Sequence, residues 1–449
     1  MIPAVEVVLA HGIGQVKDLP VPGWLFYYGA ALVLILSFVA LGVLWTRPKL
    51  EDPPEWPLPR GIQRALRSRL LRVVLAAVSV GLFVGVVAAG LVGKDSPVLN
   101  IAPAFVYVVF WLGVPLLTVL FGGVWRVLNP WRAVADAAAW VSARLGGDWR
   151  APVEYPARLG RWPSAVLVFC FVALELAYTD PSSPRKIAIA ACVYAWLTWT
   201  GAAAFGREAW FANGDGFTAY FALLARLAPF GVRRREGREE IVARPPLAGL
   251  PRLDGRPGTI ALVSVVLGSV AFDGLSRTRW WQDHVHDKSD TAVFAIGLLG
   301  LLAAAVFVAV TYLVAVAGAR ALGGVEHGLE TAFLGSLVPI AFAYLVAHYF
   351  SLFVLEGQAS IVLLSDPFGF GWDLIGTSDF EPDRAIDPKT IWYVQVGALV
   401  VGHVLGLVVA HDRALTLYRS ARSAIRTQYA MLALMVLYTV GGMWILSRP

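Results

Sequence analysis

Three ionisable residues, Glu175, Asp273 and His348, stand toward the far ends of three apolar stretches of this sequence. A charge at membrane depth is expensive, so each is a candidate functional group by default. Their stretches run near Pro163–Tyr178, Thr259–Ser276 and Thr331–Leu355. At about 1.5 Å per helical residue they fall roughly 18, 21 and 25 Å from the starts of those stretches, which predicts one shared layer. A carboxylate or histidine in a partly desolvated pocket suits general-base chemistry. The same groups also ligate zinc, copper, iron or nickel. Each has a plain alternative: His348 as a core histidine bonded to Tyr344 or Ser351 on its own face, and the carboxylates as partners of Arg277 or Lys186.

Other histidines extend the list. His284 and His286, in Trp280-Trp281-Gln282-Asp283-His284-Val285-His286-Asp287, are spaced i, i+2 among carboxylates near the expected end of the Asp273 helix. They read either as further metal ligands, with His348, Asp273 and Glu175 completing the set, or as exposed loop residues. His11 would chelate copper if it were a mature N-terminus. His403 and His411 lie about 12 Å apart along one helix, too far to share an ion. His403 suits a proton path or a bond to a neighbouring helix, and His411 with Asp412 and Arg413 suits the membrane boundary. Glu356 falls just past the expected helix end at Leu355 and reads as a rim residue. Cys170 and Cys192 each sit inside an apolar stretch, which argues against a disulfide framework or a cysteine zinc site. There is no phosphate-binding loop, no His-Glu-x-x-His pair and no Gly-x-Ser-x-Gly elbow.

The elements that must position these groups are membrane helices. The chain is 58% hydrophobic and 15% charged, with mean hydropathy +0.66, against about 45–50% and 25% for soluble domains. The apolar residues cluster in stretches of the length that spans a bilayer. Ten are expected: near 24–45, 73–92, 102–121, 163–178, 187–205, 259–276, 291–317, 331–355, 391–410 and 428–446. Of 37 Lys and Arg, 27 fall in alternate loops on one side, and the positive-inside rule assigns that side to the cytoplasm. The fold expected is therefore an all-α, polytopic membrane helix bundle with both termini outward. The net charge of +6 reflects that bias, and nucleic acid is not an expected partner.

Residues 1–23 read as a short extracytoplasmic segment, with Leu9-Ala10 before His11 resembling the end of a signal peptide. Residues 24–446 form the single membrane domain. Within it, 124–145 and 217–227 read as amphipathic helices at the cytoplasmic interface. The run Arg233-Arg234-Arg235-Glu236-Gly237-Arg238 reads as an attractor of anionic head groups or as a solvated topogenic cluster.

Several blocks carry a family resemblance. These are His11-Gly12-Ile13-Gly14-Gln15 with Asp18-Leu19-Pro20-Val21-Pro22, Leu128-Asn129-Pro130-Trp131-Arg132, Ala347-His348-Tyr349-Phe350-Ser351, Leu364-Ser365-Asp366-Pro367-Phe368-Gly369 and Trp392-Tyr393-Val394-Gln395-Val396-Gly397. Together they resemble a family of bacterial polytopic membrane proteins often labelled fenitrothion hydrolase. The resemblance implies hydrolysis of aryl organophosphate triesters in a bacterial inner membrane, with an activated water or metal hydroxide attacking phosphorus. It brings no catalytic residues with it.

The reading these observations support is an outward-opening site of Glu175, Asp273 and His348 acting as general base or as ligands of a divalent metal such as zinc or copper. Its cargo would be an apolar small molecule or a cation in the lipid bilayer. Two other classes fit the same residues: a transporter or metal-handling protein, in which the carboxylates bind protons or a cation, and an assembly subunit, in which they only pair helices. A through-path would need polar groups on both sides of mid-membrane. An enzyme would be closed below by apolar packing.

Overall fold

A computed structural model describes residues 23–147, 151–235, 237–323, 328–382, 387–418 and 420–446. The segment 1–22, with His11, lies outside the described residues. Helices dominate: α1 (Gly23–Leu44), α2 (Arg69–Val92), α3 (Ile101–Phe121), α4 (Pro130–Arg144), α5 (Trp162–Leu176), α6 (Pro184–Phe205), α7 (Gly216–Leu224), α8 (Thr259–Ser276), α9 (Asp290–Gly323), α10 (Leu337–Ser365), α11 (Pro388–Leu417) and α12 (Ala421–Leu446). Among the described residues seven helices are long and apolar enough to cross a membrane; α1 and α5 are shorter apolar helices. The chain is a multi-pass membrane protein. Its outer surface agrees: Leu36 and Val39 on α1, Val74 on α2, Trp196 on α6 and Phe307 and Val314 on α9 are exposed, as lipid-facing residues must be.

α8 and α10 are the most enclosed of the spans, 72% and 67% buried over their most apolar windows. Small residues let helices close on this centre. A Cβ at Gly268 of α8 would overlap the backbone of Ala305 on α9. Gly402 and Gly406, one turn apart on α11, face Ala343 and Ser336 at the start of α10 in the same way.

α10 runs well beyond the expected end at Leu355, to Ser365. Gly357 does not end it and the first proline is Pro367, so Glu356 lies inside the helix rather than past its end. α3 is α-helical at both ends and π-helical over Phe105–Gly113; π segments often mark functional sites.

Two further features differ from expectation. The stretch expected as an interfacial helix near 217–227 is α7, whose Phe217, Tyr220, Phe221 and Leu224 are all buried. It packs against α5, α3 and α10. Asp215 caps its first turn, accepting from Thr218 N at 3.1 Å, and also bonds the hydroxyls of Tyr194 and Thr218. Asn129 caps α4 through Arg132 N at 2.9 Å and reaches Thr218 Oγ1 at 3.0 Å. α4 is thereby tied to α7: Trp131 is buried, and only the far half, with Trp140, is exposed.

The second difference is a three-stranded antiparallel sheet, β1 (Trp56–Pro57), β2 (Phe230–Arg235) and β3 (Arg238–Ala243), in the order β1-β3-β2. The basic run is its hairpin, with Arg233 opposite Glu240 and Arg234 opposite Glu239. Opposite charges across a pair hold the register.

At the same end, the loop after α1 is clamped by α11. Asp412 accepts from Trp45 Nε1 at 2.9 Å, Lys49 N at 2.5 Å and Leu50 N at 3.1 Å, while His411 Nε2 meets Trp45 O at 3.0 Å. His411 and Asp412, expected at the interface, are therefore buried.

Candidate functional site

The layer of ionisable groups begins with how α5 and α8 are pinned together. Arg161, immediately before α5, is buried and donates to Thr259 Oγ1 at the start of α8 (3.1 Å) while pairing with Asp254 (2.7 Å). Gly258, with φ of 81°, permits the approach, since a Cβ there would overlap Arg161 and Trp162. From this pin Glu175 lies fourteen residues beyond Arg161, and Asp273 fourteen beyond Thr259. Equal counts along helices that start together bring both carboxylates to the same height, about 21 Å up.

His348 arrives from α10. Its Nε2 lies 2.6 Å from Asp273 Oδ2, and both side chains are buried. Arg277, one turn after Asp273, holds the other oxygen: Nε to Oδ1 is 2.9 Å. Asp273 is thus bracketed by a histidine and an arginine, and a buried carboxylate needs such partners. Arg277 is 33% exposed, so its guanidinium extends from the buried pair to the end of the bundle opposite the sheet. Tyr349, next after His348 and 3% exposed, lies within electrostatic range of Asp273, Glu175 and Arg277.

Glu175 joins the same group, since Asp273, Arg277 and Tyr349 are its charged and polar neighbours. Its side chain is buried and Oε2 has no hydrogen-bond partner. Of the plain alternatives, Asp273 does pair with Arg277, whereas Lys186 and Tyr344 are engaged elsewhere. Lys186 pairs with Asp180 at 2.8 Å. Tyr344 donates to the carbonyl of Tyr438, not to His348.

His284 and His286 stand apart from this core. His284 Nδ1 meets Trp280 O at 2.6 Å, and His286 Nδ1 pairs with Asp287 at 2.8 Å in a fully solvated position. Among the described residues no three of His, Cys, Asp or Glu are grouped to hold a metal ion. The expected ligand set of His348, Asp273, Glu175, His284 and His286 is therefore not assembled. The physical reason lies in the donors: Nε2 and Oδ2 occupy each other, and a guanidinium already neutralises Oδ1. This donor set does not fit zinc or copper.

His403 is fully buried at mid-helix, with Nδ1 on Leu399 O (2.7 Å) and Nε2 without a partner. Its ring meets Tyr344 edge-on at 5.7 Å. Cys170 and Cys192 are free and exposed.

Sequence reasoning gave Arg277 only as an alternative partner and overlooked Tyr349. The i, i+4 spacing of Asp273 and Arg277 was the available signal. Tyr349 had none, because its role depends on where α5 and α8 lie. No protein-family model, curated protein or solved structure matches the chain.

Proposed function

We propose that the protein is a membrane-embedded hydrolase of uncharged apolar esters, with aryl organophosphate triesters as the class suggested by its sequence resemblance. The observation that carries this reading is the buried 2.6 Å contact between His348 Nε2 and Asp273 Oδ2. A carboxylate that accepts the Nε2 proton leaves the lone pair of a neutral imidazole on Nδ1, with the tautomer assigned from that bond. Nδ1 then takes a proton from water as the water oxygen attacks phosphorus. The P–O bond to the aryl group breaks, and the imidazolium returns its proton to the departing oxygen. Asp273 orients the ring and pairs with the imidazolium as it forms; Arg277 holds Asp273 in place. Glu175 supplies a second carboxylate beside the reacting centre.

We place the chain in a bacterial inner membrane as ten spans, both termini outward. The site then opens toward the outer face. We take the buried aromatic side chains of α7 as its inner closure, which favours a one-sided site over a through-path. The test is hydrolysis of an aryl phosphotriester by purified wild type, His348→Ala and Asp273→Asn. A fall of about 10²–10⁴-fold in both is expected for loss of a general base or its orienter. Unchanged hydrolysis in both overturns the assignment.

A second reading, proton or cation transfer, is favoured by His403, a buried imidazole with an unpartnered nitrogen on the helix beside α10. It predicts proton uptake by proteoliposomes that fails in His403→Ala and in Glu175→Gln while ester hydrolysis is absent.

A further inference from the structure

Besides the Asp273–His348 pair, one wall of the site carries polar atoms with nothing to bond. Glu175 Oε2, Trp111 Nε1 and Tyr220 Oη are each buried without a hydrogen-bond partner, in side chains 4%, 3% and 2% exposed. They come from three elements: α5, the π-helical part of α3, and α7. Ring contacts bring these elements together. Trp111 packs on Tyr220 at 5.2 Å and on Phe171 at 4.8 Å, and Phe171 lies one turn before Glu175 on α5. Tyr107, one turn before Trp111, also packs on Phe171, and both Tyr107 and Tyr220 lie within electrostatic range of Glu175. Buried donors are almost always satisfied, so a pair left open needs an explanation. The winding of this wall of α3 is π-helical rather than regular α, a distortion frequent at functional sites.

We propose that Trp111 Nε1 and Tyr220 Oη form a donor pair for one uncharged oxygen acceptor, the phosphoryl or carbonyl oxygen of an otherwise apolar molecule. Both donors are neutral and the walls are aromatic rings, which suits an uncharged ester better than an anion. This deepens the reading of the site as a hydrolase: the pair would hold the oxygen on which charge develops while His348 activates water from the other side. Trp111 and Tyr220 are then binding residues of the substrate oxygen, and Glu175 flanks them.

The probe is triethylphosphine oxide, whose ³¹P resonance moves downfield when its oxygen accepts hydrogen bonds. It is added to the full-length protein in nanodiscs, with empty nanodiscs as the blank. A protein-dependent downfield resonance is expected in wild type, retained in His348→Ala, and lost in Trp111→Phe/Tyr220→Phe. Tyr220→Phe alone removes one hydroxyl from a conserved ring shape and should move the resonance part of the way back, so the test stands even if the double variant does not fold. Absence of the resonance in wild type, or its persistence in Tyr220→Phe at the wild-type position, overturns the proposal. Because His348→Ala abolishes hydrolysis under the proposed function and spares this signal, failure of the donor pair and failure of the hydrolase reading are separately visible.

Discussion

Arg277 lies one helical turn beyond Asp273 and holds its Oδ1 at 2.9 Å, so that Oδ2 is presented across the bundle to His348. The orientation of the histidine therefore depends on a residue that never touches it. Arg277→Gln should lower ester hydrolysis at least tenfold, with Arg277→Lys recovering part of the loss. The stability cost should be about 1–3 kcal/mol, below that of a fully buried broken pair because Arg277 is partly solvated. Hydrolysis rates and melting temperature in detergent check both.

Asp215 holds α7 from its N-cap, and three side chains converge on it. Asp215→Ala should remove a cap worth about 0.5–2 kcal/mol and leave the Tyr194 hydroxyl without its acceptor, at roughly 1–3 kcal/mol more. We expect a clear drop in melting temperature, together with new access of water-soluble quenchers to the tryptophans around α7. A drop in melting temperature without new access would mean that α7 is not a closure.

Trp210 sits in a slot between two glycines: a Cβ at either Gly201 or Gly214 would overlap its indole. Gly201→Ala should destabilise by about 1–3 kcal/mol, the usual cost of overpacking. Exposed glycines give the control, since Gly85→Ala meets open space and should be neutral or slightly stabilising. Thermal unfolding of the two variants should separate cleanly.

Glu208 is hydrogen-bonded to Arg132 at 2.6 Å, which holds its carboxyl below the ordinary glutamate value. A folded-state pKa lower than the unfolded one adds stability above the unfolded value, about 4.3, and loses it as pH falls through the folded one. The difference in melting temperature between wild type and Glu208→Gln should therefore be small at neutral pH, as for any exposed pair, and fade as pH falls below the unfolded value of about 4.3 and through the lower folded one. A difference that grows on acidification contradicts the pairing.

Orientation is checked by labelling in a background lacking Cys170 and Cys192, both free and exposed. A membrane-impermeant maleimide on intact cells should reach Asp287→Cys and spare Arg234→Cys. The reverse pattern would place the histidine end of the bundle in the cytoplasm.

All ten apolar stretches expected from hydropathy are helical, because a run of such residues has few other ways to satisfy its backbone in lipid. The convergence of Glu175, Asp273 and His348 was legible as a matter of depth, since rise per residue is nearly constant. Neighbourhood was not: that α5 and α8 start together follows from Arg161, Thr259 and Gly258, which carry no hydrophobic signal. The same limit hid α7. Its sequence suits either a lipid surface or a protein core, and only the capping by Asp215 and the tie to Asn129 decide. The sheet escaped notice because the pairing of Arg233 with Glu240 and of Trp56 with Ala243 spans chain segments that composition treats as charged loops.

The clamp between Trp45 and Asp412 carries a consequence for biosynthesis. Lys49 N and its acceptor on Asp412 are separated by 363 residues. At about 5–20 residues per second, the ribosome reaches Asp412 roughly 20–70 s after it has passed Lys49. Throughout that interval the loop after α1 has neither its carboxylate acceptor nor the cover of α11, so the end of α1 is locked only long after it is made. Chains stalled before Asp412 should expose this loop to cytoplasmic protease, and chains released beyond it should not.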